Sequence, residues 1–179
     1  MVSIKEIAHY GRWFPYCKTD YDLWWFDKKK SQMIDAEKLG SVFDCDVHSL
    51  PRVIAQCYGH YVPCFRVDIP ALEMKYAQVY LSRKTVKFLS QLSAKDMDRE
   101  FLIAIEKEFL DTDWYRYELA HLSSAAEEWC KENHIRYTIE KIHLFMFGKL
   151  CVKNVRIVSG FVKYFGDDMI RFPNSPAPF

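Results

Sequence analysis

Residues 20–34 read DYDLWWFDKKKSQMI, and the rest of the fold is read outward from this run. Asp20 to Asp27 is rich in aromatic, β-favouring residues, Lys28-Lys29-Lys30 makes a polar turn, and Ser31 to Ile34 returns as a second strand. Alternation places Tyr21, Leu23 and Trp25 on one face of the first strand, and Asp22, Trp24 and Phe26 on the other. The Asp22 face is the less apolar. Trp24 is therefore expected to be the more exposed ring and Trp25 the core one.

Around this hairpin the periodicity turns helical. Ser3 and Glu6 have capping-box spacing ahead of Ile4, Ile7 and Ala8, and Gly11 closes the helix. Residues 35–50 read as a polar loop, and Pro51 opens a helix over Arg52 to Tyr58. Val62 to Asp68 is a short strand. Pro70 then opens a helix carrying Leu72, Tyr76, Val79 and Tyr80, with a further helical stretch through Val86, Phe88, Leu89 and Leu92. Asp96 or Asp98 is expected to cap a helix bearing Phe101, Leu102, Ile105 and Phe109, with Glu100, Glu106 and Lys107 on its wet face. Trp114 to Tyr117 reads as an aromatic link. Leu119, Leu122, Ala125, Ala126 and Trp129 mark an amphipathic helix, with Glu127, Glu128 and Lys131 on its polar side. Ile135 to Ile139 is a final strand. The expected fold class is α+β, a small antiparallel sheet with an aromatic hairpin packed against several amphipathic helices. The expected organisation is a core domain over 4–136 and a C-terminal element over 137–179 packed on it, ending in a mobile Pro-rich tail from about 173.

Composition narrows the function classes. The 179 residues carry 25 Lys+Arg against 24 Asp+Glu, a formal net charge of +1, which speaks against a dedicated nucleic-acid binder. The first ten residues, MVSIKEIAHY, contain no apolar secretory core, and no stretch has the roughly 18–20 apolar residues that span a bilayer. Six scattered cysteines without an export signal fit free thiols in the cytoplasm.

Three segments, YDLWWFDKKKSQMI, FRVDIPALEMKYAQVYLS and WYRYELAHLSSAAEEWCKENHI, together resemble the uncharacterised bacterial UPF0158 family over residues 4–136. The resemblance implies a cytosolic α+β fold and no particular chemistry. One departure is DREFLIAIEKEFL at 98–110, which has no glycine where that family tends to be rich in glycine and arginine.

Cys45, His48, Cys57, His60 and Cys64 form two Cys-x2-His pairs followed by a third cysteine, which zinc could use. Their spacing is looser than a finger, and core thiols with surface histidines are the expected reading, so no metal and no cofactor are assigned. Asp68 with Glu73-x-Lys75 imitates a nuclease pattern, but on a helix Glu73 and Lys75 diverge by about 200° and read as charged surface. Cys130 and His134 lie four residues apart on one helix face. There His134 is expected to serve the helix's terminal carbonyls rather than activate a thiol. No phosphate-binding glycine loop or nucleophile elbow occurs.

The expected function is therefore a non-catalytic module binding another protein, as a regulator, inhibitor or immunity-type antagonist, bacterial or phage-encoded. Its candidate contacts are Trp24 with Lys28, Lys29 and Lys30. The alternatives are an enzyme built on distant carboxylates such as Asp68, Glu106 and Asp113, and a weak nucleic-acid binder using the three lysines. The apolar segment 142–165 could pack the core or a homodimer seam.

Overall fold

A computed structural model of the chain describes residues 1–17 and 21–139. By its internal contacts the chain divides into Met1–Thr138 and Ile139–Phe179. The first unit carries, among the described residues, seven α-helices and three small sheets. The C-terminal element expected over 137–179 falls outside the described residues except at its start, where Tyr137–Thr138 forms a strand. The Pro-rich tail and the apolar segment 142–165 lie outside them entirely.

The fold is α+β, as expected. Strands β1 (Val2–Ser3) and β2 (Arg12–Trp13) flank helix α1 (Ile4–Ala8) and a 3-10 turn over His9–Gly11. The hairpin consists of β3 (Trp24–Asp27) and β4 (Gln32–Asp35), and β5 (Tyr61–Pro63) pairs antiparallel with the other edge of β3. Trp25 lies opposite Ile34 and Phe26 opposite Met33. The turn is one residue longer than expected, because Ser31 takes a left-handed conformation (φ 54°) and leaves the return strand to begin at Gln32. Buried Asp27 shapes that turn without glycine: its Oδ1 accepts from the backbone N–H groups of Lys29 and Lys30 at 2.8 and 3.1 Å.

Both faces of β3 are covered. Trp25 packs with Ala36, Leu39, Leu50 and Ile54, which come from helices α2 (Ala36–Phe43) and α3 (Leu50–Cys57). Phe26, on the opposite face, packs with Ile4, Ile7, Ala126 and Trp129. Phe26 is 1% exposed, so the face it shares with Asp22 and Trp24 is not a wet one along its length. Only its Trp24 end is half-open.

Helix α2 replaces part of the loop expected over 35–50. Asp35 caps it by accepting from the N–H groups of Glu37 and Lys38, and eight residues are too few for periodicity to stand out. A short strand β6 (Val67–Asp68) pairs parallel with β2 and runs into α4 (Ile69–Tyr80), where Asp68 caps the first turn through Ala71 N–H. Helix α5 (Arg83–Leu89) follows. The cap of α6 (Ala94–Lys107) is Ser93, which accepts from Asp96 N–H, rather than Asp96 or Asp98. Helix α7 (Asp111–Glu132) takes in the aromatic run expected to be a link: Asp111 and Asp113 favour its N-terminus, and Trp114 packs edge-on to Tyr76 and Phe101 at 5.3 and 4.9 Å. Strand β7 (Tyr137–Thr138) returns to pair parallel with β1.

Glu127 sits 5% exposed, on the core side rather than the expected polar side, and it accepts from Tyr137 Oη at 3.0 Å while pairing with Lys131. Gly11 is required by close approach: a Cβ there would stand 2.0 Å from Cε2 of Phe65. Gly11→Ala should push that ring off Trp129 and cost about 1–3 kcal/mol by overpacking. A melting curve unchanged from wild type would show that Phe65 moves freely.

Candidate functional site

The N-terminal segment and the start of the hairpin meet in a shallow cleft. Its walls include Tyr10, Arg12, Trp13, Trp24, Phe65 and Arg66. Local pairing builds it: β2 beside β6 sets Arg12 and Trp13 next to the chain leaving Arg66. The Trp24 ring meets Tyr10 edge-on at 4.7 Å. The guanidinium of Arg66 lies 5.8 Å from the Trp13 ring centre and pairs with Asp22 at 2.7 Å. Asp22 is held in turn because Trp25 Nε1 donates to its carbonyl at 3.2 Å. Arg12 and Arg66 remain 43% and 38% exposed in their side chains. The enclosed space is about 20 Å³, room for roughly one water molecule. Aromatic rings and two arginines over a shallow floor suit contact with another surface better than enclosure of a small substrate.

Behind this cleft lies a carboxyl cluster that sequence reasoning missed. Glu73 on α4 is 1% exposed, although its Asp68…Glu73-x-Lys75 context was expected to be charged surface. Its carboxyl meets that of Asp98 on α6, and burial first, then the Asp98 contact, push it up from an ordinary 4.5 to about 9. Glu73 is therefore protonated at neutral pH, and its Oε2 makes no hydrogen bond to the protein. Tyr16 donates to Asp98 Oδ2 at 2.7 Å. Glu118 on α7 pairs with Arg12 Nε at 2.8 Å; burial raises its carboxyl and Arg12 opposes the rise. A signal was present. Glu73 is four residues from both Ile69 and Ala77, and Glu118 four from both Trp114 and Leu122, all core residues.

The residues singled out from the sequence separate. Trp24 opens β3, while Lys28, Lys29 and Lys30 occupy the turn beyond its far end, about 13 Å along the strand from Trp24 to Lys28. Asp68 caps α4, Asp113 pairs with Arg116, and Glu106 is exposed on α6, so each has a local place rather than a shared one. Among the described residues no group of three or more His, Cys, Asp or Glu side chains is placed to hold a metal ion. His48 packs edge-on to Tyr21 at 5.4 Å, and His60 packs against Tyr61 at 4.3 Å. Burial raises the thiols of Cys64 and Cys130 to about 12 and about 11, which leaves both un-ionised and poorly nucleophilic near pH 7. His134 lies beyond the end of α7 at φ 55°, its N–H bonded to the Lys131 carbonyl. Among the described residues no helix is long and apolar enough to cross a membrane.

Comparison with family models, curated proteins and solved structures finds no match to this chain. It neither supports nor opposes the resemblance to UPF0158.

Proposed function

We propose that this chain is a non-catalytic, cytoplasmic protein-binding module that docks a partner through the Trp13–Trp24–Arg66 cleft, as a regulator or immunity-type antagonist. The observation that carries the reading is the cleft itself. Tryptophan, tyrosine and arginine, the residues that dominate interface energetics, are gathered on one shallow face and held there by ring and ion-pair contacts. Such preorganisation lowers the entropy lost on docking. Free Cys17, Cys45, Cys64 and Cys130 suit a reducing compartment. Of the expected contacts Trp24 is kept and joined by Arg12 and Arg66; the three lysines, on a turn some distance away, would act on encounter rate only.

The test is affinity capture with wild type, Trp24→Ala, Arg66→Ala and a triple Lys28/Lys29/Lys30→Ala variant, with melting curves alongside. Trp24→Ala and Arg66→Ala should each weaken a stoichiometric partner by about 30-fold, roughly 2 kcal/mol, while remaining folded. Loss of the partner in the lysine variant alone would move the site to the hairpin tip.

The Glu73–Asp98 pair favours a second reading, an enzyme with a carboxylate-based site, since paired carboxyls with separated ionisation do acid–base work. Burial of Glu73 opposes it, because a proton-transfer group must reach its substrate.

A further inference from the structure

We propose that Glu73 and Asp98 form a proton-operated lock, in which one shared proton holds the segment Arg12–Tyr16 onto α4, α6 and α7. The lock is independent of any partner. Four parts of the fold converge on it. From α6, Asp98 meets Glu73 and accepts from Tyr16 Oη at 2.7 Å. From α7, Glu118 pairs with Arg12 of β2 at 2.8 Å, and its charge acts on Glu73. His9, in the 3-10 turn ahead of β2, acts on Glu118 electrostatically. Three carboxyls thus share a space in which Arg12 is the cation acting on Glu73. Protonated Glu73 makes the count tolerable: it donates to Asp98, and Arg12 answers Glu118. Ionised Glu73 would set a second negative charge against Asp98 with no further cation from Arg12, which Glu118 already engages.

The part that yields is the part held least. Helices α4, α6 and α7 are joined through Tyr76, Phe101 and Trp114, whose rings meet at 4.9–6.1 Å. The segment Arg12–Tyr16 is held by a two-residue strand, the Arg12–Glu118 pair, the Tyr16–Asp98 bond and the stacking of Arg66 on Trp13. Its release would carry Arg12 and Trp13 away from the cleft and dismantle one wall.

The sign follows from the bound proton. Glu73 holds it in the closed form up to about pH 9, whereas a solvated glutamate releases it near its ordinary 4.5. Opening therefore sheds a proton across that window. The stabilisation is complete below the ordinary value and is lost as pH rises through the closed-form value. The opening constant should climb by up to tenfold per pH unit, then level off above about pH 9.

Limited trypsin digestion reads the opening at the Arg12–Trp13 bond, with the Arg116–Tyr117 bond inside α7 as internal control. Cleavage is compared between wild type and Glu73→Gln at each pH from about 6 to 9, so the protease's own pH dependence cancels. The expected result is a wild-type excess at Arg12–Trp13 that grows severalfold to tenfold per unit, with no matching growth at Arg116–Tyr117. Asp98→Asn, which removes the like charge and leaves one acceptor oxygen in place of two, should carry the levelling-off point to lower pH. A flat ratio across the range overturns the lock. So does an equal rise at both bonds, which would mean the whole domain is opening.

Discussion

Replacing Trp129 with alanine should cost about 3–5 kcal/mol and lower Tm by more than about 10 °C. Trp129 is 7% exposed on α7 and joins three parts of the fold. Its ring meets Phe26 of β3 edge-on at 5.7 Å and Phe65 at 5.8 Å. Its Nε1 donates to the Pro63 carbonyl of β5 at 2.9 Å. Alanine removes the ring, opens a cavity between sheet and helix, and takes away the Pro63 carbonyl's indole donor. Trp129→Phe separates these effects, keeping most of the ring while losing the N–H, and should cost distinctly less. Equal losses for the two variants would put the hydrogen bond, not the cavity, at the centre of the effect; no loss for either would contradict the packing described.

Trp25→Ala should also cost about 3–5 kcal/mol, and Trp24→Ala only about 1–2 kcal/mol. The rings are adjacent in sequence, and the strand's alternation turns them to opposite faces. Trp25 is 3% exposed among Leu39, Leu50 and Ile54. Trp24 is half-buried against Tyr10 at the cleft. Urea denaturation of the two variants checks the difference directly, because the slope reports whether the same surface is still exposed on unfolding. Equal destabilisation would mean that the Trp24 end of the sheet is as fully covered as the Phe26 end.

Periodicity made much of this architecture legible before any coordinates. The alternation in Trp24-Trp25-Phe26 sorted the two tryptophans correctly, and the three- and four-residue spacing of Leu119, Leu122, Ala126 and Trp129 found the long helix. What escaped were places where a local preference yields to packing. Trp114 to Tyr117 has the composition of a strand or a link, but acids at the start of α7 and the rings of Tyr76 and Phe101 draw it into a helix. Residues 36–43 form only two turns, too short to show a period.

The candidate site divides the same way. Its aromatic half is local: Trp13 and Trp24 stand out from composition, alternation turns Trp24 away from Trp25, and its place at the start of β3 leaves it half-buried. Its polar half is not. Glu73, Asp98, Glu118, Arg12 and Tyr16 come from three helices and the N-terminal segment, and no spacing along the chain joins them. Taken singly, glutamate on a helix is surface, because burying a lone carboxylate costs far more than a helix face returns. Only where α4, α6 and α7 close against Arg12 and Tyr16 does a partner for each carboxyl exist. Sequence determined most of the helices, the hairpin and which of its two tryptophans would face the core, since those depend on neighbours within one turn or one pleat. Tertiary structure decided which charges would be buried together, because that depends on distances between residues far apart in the chain.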